Sequence, residues 1–242
     1  MTLLLLAGTG EAQQVARLLV AEGRPAIASL AGATRAPRAM GLPTRIGGFG
    51  GEDSFLRYLT EAGITAVLDA THPFASRISE RTARLCADKA VPYCQLLRPE
   101  WVPGAGDRWT IIAAEEEAAA HIPEGATVFL ATGRQGVTRF ANLDGRRLIC
   151  RVVDPPEAPF PMANGTYLVG RPPFSVAEEI ALFTRLGIDW LVVKNAGGAA
   201  SESKLAAARA LNLPVAMIAR PPQPKAPRVA TVAAAIEWVR DT

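Results

Sequence analysis

The chain is organised around Thr2-Leu-Leu-Leu-Leu-Ala-Gly-Thr-Gly-Glu-Ala-Gln-Gln14. Five apolar residues, Leu3 to Ala7, run without alternation. That is the pattern of a strand buried on both faces of a parallel sheet. Gly8 and Gly10 follow at once, and glycines there let the backbone turn sharply and come close to a ligand. Glu11 to Val20 reads as a helix. Its first N–H groups point at whatever lies above the glycines, a geometry that favours an anion and typically a phosphate. Strand, Gly-x-Gly turn and helix in this order open a dinucleotide-binding unit, with Gly8, Thr9, Gly10 and Glu11 as its ligand-facing candidates. Gln13 stands where the full fingerprint has a third glycine. A tight strand-to-helix turn with no ligand fits the same residues.

Pro25 to Leu30 is the second short apolar run, and a doubly wound fold brings the end of that strand to the adenosine ribose. No carboxylate stands there; Ser29, Thr34, Arg35 and Arg38 do. Hydroxyls and guanidinium groups welcome a 2′-phosphate that a carboxylate would repel, so NADP is favoured over NAD. The alternative is a solvated basic loop. Thr44 to Ile46 is a brief strand ahead of Gly47-Gly-Phe-Gly-Gly51, where Gly48, Phe49 and Gly50 make a loop able to wrap a ligand. Ile64 to Asp69 is a further buried strand, ending in Thr71-His-Pro-Phe-Ala75. Pro73 holds His72 extended. The imidazole then stands on the ligand rim beside Thr71, able to orient a cofactor or substrate or to donate a proton. Local backbone bonds satisfying the ring are the competing reading. His121 reads as a surface residue.

Strands and helices alternate throughout, which means α/β with mainly parallel sheets. The plan also repeats. Gly63-Ile-Thr-Ala-Val-Leu-Asp69 matches Gly187-Ile-Asp-Trp-Leu-Val-Val193, and Val91-Pro-Tyr-Cys-Gln-Leu-Leu-Arg-Pro99 matches Leu213-Pro-Val-Ala-Met-Ile-Ala-Arg-Pro221. The expectation is two similar Rossmann-like domains, 1–123 and 124–242, with ligands in the cleft between them. Each half closes on one more strand and helix, from Trp109 in the first and Val229 in the second. These two closing pieces are alike enough to exchange between domains.

Helices are predicted over Glu115 to His121 and after Thr132-Gly-Arg-Gln-Gly136. Thr132, Gly133 and Arg134 form an anion cradle in the second domain. Lys194-Asn195-Ala-Gly197-Gly198, with Ser201 and Lys204 beyond, forms another after the strand that matches Ile64 to Asp69. A lysine, an amide and two glycines suit carboxylates. Turns and a solvated helix face are the plainer explanation of each piece alone.

Bulk properties narrow the class. The 242 residues are 49% hydrophobic and 20% charged with a formal net charge of +3, an ordinary globular composition without a Lys/Arg block for nucleic acid. Cys86, Cys94 and Cys150 make an odd count with no C-x-x-C, which fits core thiols in a reducing cytoplasm. No apolar run is long enough for a bilayer and no secretory signal is visible, so a cytoplasmic location is expected. Two histidines without H-E-x-x-H argue against a metal site, and no Walker sequence or G-x-S-x-G is present.

Gly8-Thr-Gly-Glu-Ala12, Ser29-Leu-Ala-Gly32, Gly47-Gly-Phe-Gly-Gly51, Asp69-Ala-Thr-His-Pro-Phe-Ala75, Thr132-Gly-Arg134 and Lys194-Asn-Ala-Gly-Gly198 together resemble the precorrin-6A reductase family of cobalamin biosynthesis, over nearly the whole chain. The resemblance implies two Rossmann-like domains and NADPH-dependent reduction of one ring double bond of a polycarboxylate tetrapyrrole, giving precorrin-6B. The residues fit that reading: the first domain offers the phosphate turn and basic loop for NADPH, and the second offers cationic and amide groups for the substrate's carboxylates, with other enzymes of the same pathway as further partners. His72 and Lys194 are the candidates for the proton. Ala33 and Thr34 lengthen the loop before Arg35 relative to the family pattern. A cobalt-containing substrate stays open, as does a two-domain protein that binds an anionic ligand without chemistry. A sugar-nucleotide transferase would leave the basic loop after Ser29 unexplained.

Overall fold

The computed structural model describes residues 2–32 and 39–242. The chain begins β1 (Thr2–Leu6), α1 (Gly10–Ala21), β2 (Ala26–Leu30), β3 (Thr44–Ile46), α2 (Glu52–Glu61), β4 (Ile64–Asp69), α3 (Ser76–Asp88) and β5 (Tyr93–Leu96). It continues with β6 (Arg108–Ile112), a 3-10 helix at Glu115–Ala120, β7 (Thr127–Ala131), a 3-10 helix at Arg134–Phe140, β8 (Arg147–Val152), β9 (Gly165–Val169), α4 (Val176–Leu186) and β10 (Trp190–Lys194). It closes with a 3-10 turn at Ala199–Ser201, α5 (Ser203–Ala210), β11 (Pro214–Ile218), β12 (Arg228–Val229) and α6 (Val232–Asp241).

The strands form two six-stranded sheets, ordered β3-β2-β1-β4-β5-β12 and β9-β8-β7-β10-β11-β6. Every pairing is parallel. Both orders are that of the doubly wound dinucleotide fold, and each reverses once, between β1 and β4 or between β7 and β10. Leu3 to Leu6 are buried on both faces of the first sheet, as their unbroken apolar run demands.

The division of the chain differs from the one expected at 123/124. One compact unit is Met1–Pro99 with Pro221–Thr242; the other is Glu100–Arg220. The closing pieces are exchanged. Ile112 of β6 lies opposite Ile218 of β11, and Trp109 packs on a core of Leu191, Val215 and Met217. Val229 of β12 lies opposite Leu96 of β5. Behind it Ala235, Ile236 and Val239 of α6 fill a core with Val15, Ala16 and Leu19 of α1. Each sheet thus obtains the sixth strand and covering layer that bury its last apolar edge.

Two predicted helices are 3-10 rather than α. Short runs lack the length to repay α-helix nucleation. β5 is shorter than the apolar run 91–97 because it begins after Pro92, which has no N–H for a ladder.

Candidate active site

In unit one, the turn after β1 and the loop after β4 flank the reversal of strand order, where this class of sheet binds ligands. Thr9 caps α1. Its hydroxyl accepts from the Ala12 N–H at 3.1 Å and donates to the Ala70 carbonyl at 2.8 Å, tying the turn to the end of β4. Gly8 sits at φ +148°, which L side chains rarely adopt. Among the described residues, a Cβ built on Gly8 or Gly10 meets no heavy atom within 4 Å, so the space beside the turn is open to them. Glu11 does not face that space alone: its carboxylate takes the Arg98 guanidinium at 2.8 Å. The pair cancels a charge that would otherwise repel an anion at the start of α1.

Ser29 is buried at the end of β2, and its hydroxyl accepts from Arg45 Nη1 at 2.9 Å. Arg45 also donates to the carbonyls of Gly47 and Gly48, at 2.8 and 3.0 Å, and lies 3.9 Å over the Phe49 ring. Phe49 packs edge-on against Phe55, so its ring braces the loop. Gly50 takes φ +80°. Arg35 lies outside the described residues.

Asp69 ends β4 fully buried. One oxygen accepts from the Thr71 N–H at 3.0 Å, the other from the Tyr93 hydroxyl at 2.8 Å. Burial, and then the Asp69 charge, push the Tyr93 phenol far above its ordinary range, so it stays a donor. Thr71 Oγ1 meets Ser79 Oγ at 3.3 Å. His72 is exposed, and its Nδ1 accepts from the Phe74 N–H at 3.2 Å. In a neutral ring that leaves the proton on Nε2. The Pro73 carbonyl accepts from Gln223 Nε2 at 2.9 Å, and Gln223 Oε1 accepts from the buried Gln95. The exchanged segment therefore steadies the loop that carries His72.

In unit two, the loops after β7 and β10 flank the corresponding reversal. Gly133 has φ +74°, Gly197 +66° and Gly198 +81°. Thr132 Oγ1 is buried and has no hydrogen-bond partner among the described residues. Lys194 Nζ lies 3.3 Å from Glu115, a buried carboxylate that also takes Arg139 at 2.7 Å. Gly136 fits beside this cluster because a Cβ there would stand 3.1 Å from Glu115 Oε1 and 3.8 Å from Lys194 Nζ. Lys194, Arg134 and Thr132 thus share one rim, with Glu115 brought to it by the exchanged strand.

The rest of the expected cradle is more committed. The Asn195 amide accepts from the Trp101 N–H at 2.9 Å and donates to the Trp101 carbonyl at 3.0 Å, a backbone clamp. Trp101 Nε1 donates to the Gly198 carbonyl at 3.1 Å. Lys204 points its ammonium at the Ser201 carbonyl and lies 5.6 Å over the Trp101 ring. Burial pulls it down to about 8, opposed by Glu179 and helped by Arg151. Arg151 and Glu179 themselves form a buried ion pair. The three cysteines are buried and free, and burial raises each thiol, Cys86 and Cys150 to about 12.

Sequence reading missed Arg45, Arg98, Asp69, Tyr93, Glu115 and the Gln95–Gln223 pair. Asp69 alone carried a signal: a carboxylate closing an otherwise apolar strand, where burial requires partners.

Two parallel six-stranded sheets, each with one reversal of strand order, define a double α/β protein of Rossmann-like fold. Comparison with known proteins narrows that class. The chain belongs to the family described as Precorrin-6x reductase CbiJ/CobK, whose model matches residues 2–240. It is 43% identical over 240 residues to the precorrin-6A reductase of Rhodobacter capsulatus, covering 99% of this chain and 96% of that one. It is 44% identical over 240 residues to the precorrin-6A reductase of Rhodococcus erythropolis, covering 98% and 96%. A solved structure titled CobK precorrin-6A reductase superposes with a TM-score of 0.95 at 42% identity, covering 100% of this chain and 96% of that one. No helix among the described residues is long and apolar enough to cross a membrane.

Proposed function

We propose that this chain reduces a ring double bond of precorrin-6A, taking a hydride from NADPH and a proton to give precorrin-6B and NADP, a step of cobalamin biosynthesis. One observation carries the reading beyond family membership. A capped Gly-x-Gly turn stands at the reversal point of one sheet, and a Lys/Arg rim stands at that of the other.

The residues of unit one fit a dinucleotide. The open space over Gly8 and Gly10 admits a pyrophosphate onto the first N–H groups of α1, with Thr9 and the Glu11–Arg98 pair holding the turn in shape. Ser29 and Arg35 are assigned to the adenosine end, Gly48, Phe49 and Gly50 to the covering loop, and Thr71 and Pro73 to the nicotinamide side. When bound, NADPH supplies the hydride. The chain's own task is to orient and to deliver a proton.

Unit two is assigned to the acceptor's carboxylates. Arg134 and Lys194 supply charge, Thr132 a buried hydroxyl, and Gly133, Gly197 and Gly198 backbone donors. Asn195, Ser201 and Lys204 shape the wall. For the proton, His72 presents an Nε2–H and Lys194 an ammonium held by Glu115.

The test is NADPH oxidation, followed by its absorbance, with precorrin-6A as acceptor and NADH in parallel. Oxidation with NADPH preferred supports the reading. NADPH binding without oxidation by this acceptor overturns the substrate assignment while sparing the cofactor site.

A further inference from the structure

Arg45 is a guanidinium held in place without a counter-charge among the described residues. Ser29 at the end of β2 lies opposite it in the β2–β3 ladder. Both Nη1 hydrogens are used, by Ser29 Oγ and the Gly47 carbonyl, and one Nη2 hydrogen by the Gly48 carbonyl. The flat group stacks at 3.9 Å on Phe49 and lies 5.3 Å from the Tyr58 ring centroid. Arg98, Arg139, Arg151, Arg209 and Arg240 each meet a carboxylate. Arg45 meets none among the described residues. Its Nε–H and remaining Nη2–H form one edge of the fork, the edge that pairs with a phosphate through two parallel bonds. The Ser29 hydroxyl, already accepting from Arg45, keeps its own hydrogen to give.

We propose that Arg45, with Ser29, reads the 2′-phosphate and so sets the preference for NADPH over NADH. The inference rests on the NADPH reading of unit one. In this fold the end of the second strand meets the adenosine ribose, and an arginine nearby accommodates the 2′-phosphate. Arg45 comes from the third strand, so a search confined to the loop after β2 passes it by. The rigid hold also matters. Three acceptors and an aromatic face fix the side chain before a ligand arrives, and less rotamer freedom remains to be lost on binding.

The test uses the full chain with Arg45→Met and Arg45→Lys, each checked for an unchanged unfolding midpoint. Calorimetry measures binding of NADPH, NADH, 2′,5′-ADP and 5′-ADP. Wild type is expected to prefer the 2′-phosphorylated member of each pair. Arg45→Met should shrink that preference by about 10- to 100-fold, the worth of a charge-assisted pair, while NADH affinity moves less than about 3-fold. Arg45→Lys should restore part of it. A preference left intact in Arg45→Met, or equal losses for both members of each pair, overturns the proposal: Arg45 then only braces the glycine loop. A wild type without any preference overturns the NADPH reading itself, and this inference with it.

Discussion

After β1 the chain turns into a 12-residue α-helix capped by Thr9. At the equivalent place after β7 it winds into a seven-residue 3-10 helix that starts at Arg134, after Gly133, with no side-chain cap. The strand order around the two turns is the same. What differs is the source of positive potential. In unit one it is backbone: aligned N–H groups at one helix end, with the nearby Glu11 neutralised by Arg98. Such a source is compact and suits a dense anion such as a pyrophosphate. In unit two it is side chain: Arg134 and Lys194 stand on separate loops, with Glu115 anchoring the lysine. Separated cations suit a ligand whose carboxylates are spread around a ring. The two units thus share a strand order and differ in the first turn of helix after the central strand.

Lys194→Ala presses hardest on that contrast. Turnover of the acceptor, as kcat/KM, should fall by roughly 100-fold, the loss of one charge-assisted contact in a shielded site. NADPH affinity should stay near normal. Glu115 keeps Arg139, so the fold should hold. A matching loss of NADPH affinity in a titration would show that the roles of the units are reversed.

A smaller effect tests the buried charge of unit two through pH. Lys204 lies at about 8 against an ordinary 10.5, mainly through burial. Below pH 8 it is protonated folded and unfolded, and the folded state bears the full burden. Between about 8 and 10.5 the folded state gives up its proton first, so stability rises with pH. Lys204→Met removes this dependence. At pH 7 it should be the more stable chain, and the gap should close as the pH rises from about 8 to about 10.5. Urea denaturation across that range measures it; a gap constant with pH would mean that Lys204 titrates normally.

Thr9→Ala should give the smallest change, about 1 kcal/mol of stability from the lost cap, with the Ala70 carbonyl left without its donor. Thermal unfolding would report it. NADPH binding should weaken several-fold as the turn loosens; binding unchanged by the variant would separate the cap from the ligand site.

Much of this was legible in the residues. The apolar run Leu3–Ala7, the Gly-x-Gly turn and the matching segments after Gly63 and Gly187 mark local patterns, and those decide strands, helices and repeats. Partner choice over distance was hidden. Arg108–Ile112 and Arg228–Val229 are both short strands before a covering helix, and nothing in either names the sheet it joins. The site divides in the same way. Loop positions followed from the strands before them. The bonds that organise the loops, Glu115 to Lys194 and Gln223 to Pro73, join residues far apart in sequence. Arg45, inside the brief strand Thr44-Arg45-Ile46, carries no local signal because its neighbours Ser29 and Phe49 come together only in the folded sheet.

The exchanged strands also govern the order of synthesis. Residues 100–220 form an uninterrupted unit and can close their sheet as soon as they leave the ribosome. The unit that starts first must wait, its β5 edge open, until residues 221–242 emerge. During translation the unit that starts first is therefore the last to finish. A chain ending at residue 220 would carry a complete second unit and a first unit whose open strand invites mispairing.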